Sequence, residues 1–191
     1  MKQNSGREEN AMAKRPGKCV NRLLAVILIA ISMWGGTAVA QDKNASSIKF
    51  PGIPDVPVPP GMSYDGFFET HNPVRVVFGV SDPGAQLKES LINAAYTIKY
   101  LKPRKIPYHI QVVLYGKAVL SATPFSEVYS GYGPMFDSLH EAGVEFKVCN
   151  NSLHALKVSA DDLYPDMEVV PAGILQLIKM QMQGYTYISN H

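Results

Sequence analysis

One cysteine stands in the segment "GVEFKVCNNSLHAL", where an apolar strand runs into Cys149, two asparagines and a helix start. A cysteine that closes a strand and precedes a helix faces free backbone N–H groups and the positive end of a helix dipole. Both favour the thiolate, the nucleophilic form of the side chain. A thiolate in that position can attack a disulfide or persulfide sulfur and then carry the extra atom. The residue types alone leave three roles open for Cys149: a buried inert thiol, a partner in an intermolecular disulfide, or a reactive thiol. His154, five residues on, is the candidate auxiliary base. Asn150 and Asn151 either line the anion-friendly turn or serve as ordinary helix caps.

Other chemistry finds less support. Asp82, in "SDPG", reads as a helix cap, and Asp161, Asp162 and Asp166 read as a charged loop. The carboxylates and histidines lack metal-site spacing, so no metal is expected. Nucleotide-binding glycine loops, G-x-S-x-G and C-x-x-C are absent, so no organic cofactor and no dithiol redox pair are expected. Met180 and Met182 read as packing residues.

The 191 residues begin with a segment unlike the rest. Lys14, Arg15, Lys18 and Arg22 precede the apolar run Leu23 to Trp34, and "GGTAVA" ends at Ala40. A basic head, a short apolar middle and a small-x-small end make residues 1–40 a secretory signal peptide with cleavage after Ala40. Either Met1 or Met12 serves as its start. The expected location is the periplasm, with no stable membrane anchor once the leader is removed. Residues 1–40 hold six Lys/Arg and two Asp/Glu of the chain's 18 and 16, which leaves 12 and 14 and a formal charge of −2. The basicity therefore belongs to the leader, and no nucleic acid partner is expected. Cleavage also removes Cys19, so Cys149 has no internal partner.

The remainder divides in two. Residues 41–72 are a Pro-rich arm, with prolines at 51, 54, 57, 59 and 60, read as an extended spacer or as an arm packing on a neighbouring subunit. Residues 73–189 alternate strand and helix. Strands are expected at Val74–Val80, His109–Gly116, Val144–Cys149, "EVVPAG" and "YTYI". Helices are expected at Ala85–Leu101, Pro134–Gly143, "NSLHALKV" and "GILQLIKMQMQG". The connection over 117–134 is long, with a short helix expected near Phe125–Tyr129. This alternation predicts an α/β domain, three-layer α/β/α, with a mainly parallel five-stranded sheet. Ligands of such sheets bind beyond the carboxyl ends of the strands, where Cys149 stands.

The segment from "GVEFKVC" through "VVPAG" to "GYTYI", with the upstream "PVRVVFGVSD", resembles the DsrE/DsrF-like family of sulfur-relay proteins across residues 73–189. The resemblance implies a five-stranded parallel sheet between helices and a homo-oligomer, trimer or hexamer. It also implies that Cys149 takes up persulfide sulfur from a donor, either a protein or a small sulfur compound, and passes it to an acceptor. Here the cysteine is followed by "NNSLHAL" rather than by the small, arginine-rich turn of the sulfur-transfer members. The competing expectation is a non-catalytic oligomeric binding or assembly module in which Cys149 is structural. A third is a redox sensor that pairs Cys149 between subunits.

Overall fold

The computed structural model describes residues 48–190; the leader expected over 1–40, with Cys19, lies outside the described residues. The folded chain runs α1 (Asp65–Thr70), β1 (Val74–Val80), α2 (Ala85–Leu101), β2 (Tyr108–Leu114), α3 (Gly133–Glu141), β3 (Val144–Cys149), α4 (Asn150–Leu156), β4 (Met167–Val170), α5 (Gly173–Met182) and β5 (Thr186–Ile188). All strand pairs are parallel, in the order β4-β3-β2-β1-β5.

That order decides which helix covers which face. The chain steps one way from β1 to β4 and then returns past three strands to place β5 beyond β1. Parallel crossovers are right-handed, so the helices of the outward steps share one face and the helix of the return takes the other. The two cores follow this rule. Leu87, Leu91 and Ile98 of α2, Phe136 and Leu139 of α3 and Leu153 of α4 pack with Val76, Phe78, Val80, Val112 and Phe146. Leu177 and Met180 of α5 pack with Val77 and Val113 on the opposite face. Strands buried on both faces read as unbroken apolar runs, which is why "VRVVFGV" and "QVVL" do not alternate.

Several elements differ from expectation. The arm is not featureless: α1 forms within it, and residues 48–65 lie along α2 of the same chain. Phe50 inserts into the first core, 4% exposed. The Lys99 ammonium donates to the carbonyls of Ile53 and Pro54 at 3.0 and 3.1 Å and pairs with Asp55 at 2.7 Å. Asp65 accepts from Tyr100 Oη at 2.7 Å and Arg104 Nε at 2.6 Å. The carbonyls of Ile53 and Pro54 are thus satisfied by a single side chain of α2. The connection over 117–134 holds 3-10 turns at Gly116–Ser121 and Ser130–Tyr132, and Phe125–Tyr129 lies in turns rather than a helix. Asp82 stands just ahead of α2 rather than at its cap: its Oδ1 accepts from Gly84 N at 2.8 Å. Gln86 Oε1 reaches back to the amides of Ser81 and Asp82 at 2.7 and 2.9 Å. Met180 is buried as expected, but Met182 is exposed.

Candidate functional site

The sheet order locates a crevice. The chain leaves β3 toward the α4 face and leaves neighbouring β4 toward the α5 face, so the two connections part between these strands. Open α/β sheets bind ligands at such a switch point. Cys149 is the last residue of β3 and pairs in register with Val170, the last of β4.

Cys149 is 5% exposed and is the free cysteine of the described chain. Its side chain points to the α5 face, in line with Lys147 and Glu145, because alternate residues of a strand share a face. Two helix starts meet there. Cys149 is itself the N-cap of α4, and Ala172 is the N-cap of α5. Burial pushes the thiol pKa up. The Ser152 hydroxyl and the backbone amides of Gly173, Ser152 and Asn151 outweigh it, and the net position lies below the ordinary thiol value. Ser152 is oriented for this, since its Oγ accepts from Gly116 N at 2.9 Å and its own proton remains to be donated.

Glycines let the backbone close around the sulfur. A Cβ on Gly173 would stand 2.8 Å from Tyr115 Cβ and 3.3 Å from Cys149 Cβ, so α5 starts this close only because residue 173 has no side chain. Gly116 holds a positive φ of 55° beside the Ser81 carbonyl. Tyr187 of β5 lies over Gly79, and the Tyr115 phenol next to it is held above its ordinary pKa by burial and by the neighbouring Tyr187. The carboxyl edge thus carries Tyr187, Tyr115 and Cys149 side by side, with the N-terminus of α5 above them.

His154 is exposed on the last turn of α4 and makes no hydrogen bond to Cys149. Asn151 contributes its backbone amide, while the Asn150 and Asn151 side chains are exposed. Asp161 and Asp162 lie in a 3-10 turn, and Asp166 contacts His140 at 3.4 Å. Among the described residues no group of three His, Cys, Asp or Glu is placed to hold a metal ion. Strands read as ending at Gly116 and at Gly173, the glycine of "VVPAG", put Tyr115, Gly116 and Gly173 at the carboxyl ends where ligands bind, without giving them a role; sequence reasoning missed Ser152.

Comparison with curated proteins returns no match. Among solved structures, the chain is similar to MTH1491 from Methanobacterium thermoautotrophicum, a protein of unknown function, at 28% identity. That match covers 60% of this chain and 97% of the other, with a TM-score of 0.53. The chain is also similar to the ychN protein of E. coli at 18% identity over 60% of this chain and 96% of that one, with a TM-score of 0.44. The model of the DsrE/DsrF-like family matches residues 75–189, the larger part of the chain, and with the five-stranded parallel fold this makes the protein a member of the DsrE/DsrF-like family.

Proposed function

We propose that this protein is a periplasmic sulfur carrier that holds a persulfide on Cys149 and works as a homo-oligomer. The observation that carries the reading is the placement of a buried thiol at the start of α4 with the start of α5 packed against it, where the nearby amides and the Ser152 hydroxyl hold its pKa below the ordinary value. Donors aimed at one atom favour negative charge on it, and the charged sulfur is the reactive one.

The reaction balances without an added oxidant. The Cys149 thiolate attacks a sulfane sulfur of a polysulfide or of a donor persulfide. The donor S–S bond breaks, the shortened donor leaves with the electron pair, and Cys149 holds Sγ–S⁻. An acceptor thiolate then attacks the outer sulfur, and the Cys149 thiolate is the leaving group. The amides that stabilise the thiolate serve both steps, since Sγ is nucleophile in one and leaving group in the other. His154 is the auxiliary base in this proposal, needed only where the incoming group must lose or gain a proton. The leader read in residues 1–40 supports the location. The exposed residues Ile174, Leu175, Ile178 and Met182 on the outer side of α5 support the oligomer. A helix with apolar residues on its outer side as well as on its buried side calls for cover on both.

One observation favours the alternative of a non-catalytic module: Cys149 is 5% exposed. A chase experiment separates the two. The protein is loaded with polysulfide, freed of excess, and treated with dithiothreitol. About one sulfide released per chain from the wild type and none from Cys149→Ser supports the carrier. Equal release from both, or none from either, supports the structural role.

A further inference from the structure

On the α5 face of the sheet, next to the crevice, lies a cavity of about 420 Å³ whose walls are mostly polar. Lys147 forms its floor, 8% exposed, two residues before Cys149 on the same face of β3. At about 3.3 Å per strand residue, the two positions are about 7 Å apart. Val170, the register partner of Cys149, and Pro171 form the wall toward the thiol.

The polar groups are organised rather than scattered. The Lys147 ammonium bonds Glu168 and, at 3.1 Å, Glu145. Gln111 donates to the same Glu145 oxygen at 2.9 Å, and Gln176 of α5 donates to Gln111 at 2.6 Å. Gln111 and Gln176 are buried, which is rare for glutamine unless something requires it. Among the described residues the Gln176 Oε1 accepts no hydrogen bond. Among the described residues no fully buried side-chain polar atom lacks a partner, so this oxygen opens to solvent, on a residue that lines the cavity. One oxygen each of Glu145 and Glu168 likewise has no partner among the described residues. One Lys147 proton is left over as a donor, and the Lys179 ammonium on the rim has no ion pair among the described residues.

We propose that this cavity binds a small zwitterion of the α-amino acid class. The cationic end meets three acceptors, from Glu145, Glu168 and Gln176. The anionic end meets two donors, from Lys179 and Lys147. A simple anion would find the Lys147 charge already balanced by two carboxylates, and a simple cation would leave the Lys179 ammonium unmatched. The volume holds anything from a single amino acid to a tripeptide. On the reading of Cys149 as a sulfur carrier, on which this part rests, the occupant is a low-molecular-weight thiol or persulfide built on an amino acid, its sulfur directed past Val170 toward Cys149.

The test is calorimetric titration of the purified protein with cysteine, alanine, cysteamine and 3-mercaptopropionate. Cysteine and alanine are expected to bind. Cysteamine, which lacks the carboxylate, and 3-mercaptopropionate, which lacks the ammonium, are expected to bind at least tenfold more weakly. Lys147→Met and, with less disturbance of the fold, Glu168→Gln are each expected to weaken cysteine binding at least tenfold. No binding of any probe, equal binding of all four, or unchanged binding in a folded Glu168→Gln protein overturns the proposal. Alanine carries no sulfur, and inorganic polysulfide carries no amino acid. Failure of zwitterion binding and failure of persulfide formation are therefore read separately on the same wild-type protein.

Discussion

A thiol withdrawn from water at the end of a buried strand is ordinarily harder to ionise than a free one. At Cys149 burial is the largest influence and acts in that direction, yet the donors of Ser152, Gly173 and Asn151 together reverse it. The reversal has a measurable form. The rate of alkylation of native protein should rise with pH through a midpoint below that of the same cysteine in the unfolded chain. Ser152→Ala removes the hydroxyl donor, so its midpoint should move upward while the fold is retained. An unchanged midpoint would assign the effect to the backbone alone. For His154 the expectation is different. Its exposed ring does not bond the thiol, so His154→Ala should leave the alkylation midpoint where it was. In sulfur transfer to an acceptor thiol, a loss approaching the hundredfold typical of a general base would give the ring a direct catalytic part.

Among the elements, the start of α5 matters most to the site, and Gly173 controls how close it comes. A Cβ there would meet Tyr115 Cβ, which is fixed to the backbone just after β2 and has no rotamer by which to retreat. Gly173→Ala should therefore shift the first turn of α5, cost about 1–3 kcal/mol as overpacking does, and raise the alkylation midpoint as an amide leaves the sulfur. Denaturant titration and the pH profile of one sample check both effects. The arm offers a second test. Phe50 is buried in the core against α2, so Phe50→Ala should cost about 3–5 kcal/mol by denaturant titration. A segment that only tethered the domain would show almost no loss. The long helices were legible because their periodicity is a direct image of burial, and the central strands because burial on both faces leaves short unbroken apolar runs. Leu87, Leu91, Ala94 and Ile98 recur at helical spacing and share one buried face. The arm was not legible, because α1 and the contacts of Asp65 with Tyr100 and Arg104 join residues 35 to 39 apart in sequence. Ser152 was hidden for the same reason, since its role depends on Gly116, 36 residues away. Cys149 could be found because its position, strand end and helix start, is itself a local pattern.

At the scale of the whole molecule, one topological fact links site and assembly. The return crossover sends α5 alone to cover a face that on the other side takes three helices. It therefore makes the crevice at Cys149, leaves the polar cavity open beside it, and exposes its own outer side. Burial of Ile174, Leu175, Ile178 and Met182 between copies would complete that layer. Ile178→Glu should accordingly reduce the mass seen by light scattering to that of a single chain. Ile178 does not belong to either core, so the circular dichroism spectrum should stay unchanged. A wild type that is already a single chain would contradict the assembly.

The central claim is that Cys149 accepts sulfur, and intact mass measures it most directly. The purified protein and Cys149→Ser are weighed before and after exposure to polysulfide. The account predicts a gain of ~32 Da, one sulfur atom, on the wild type alone, removed by dithiothreitol. An unchanged wild-type mass with its thiol intact, or the same gain on Cys149→Ser, would contradict it.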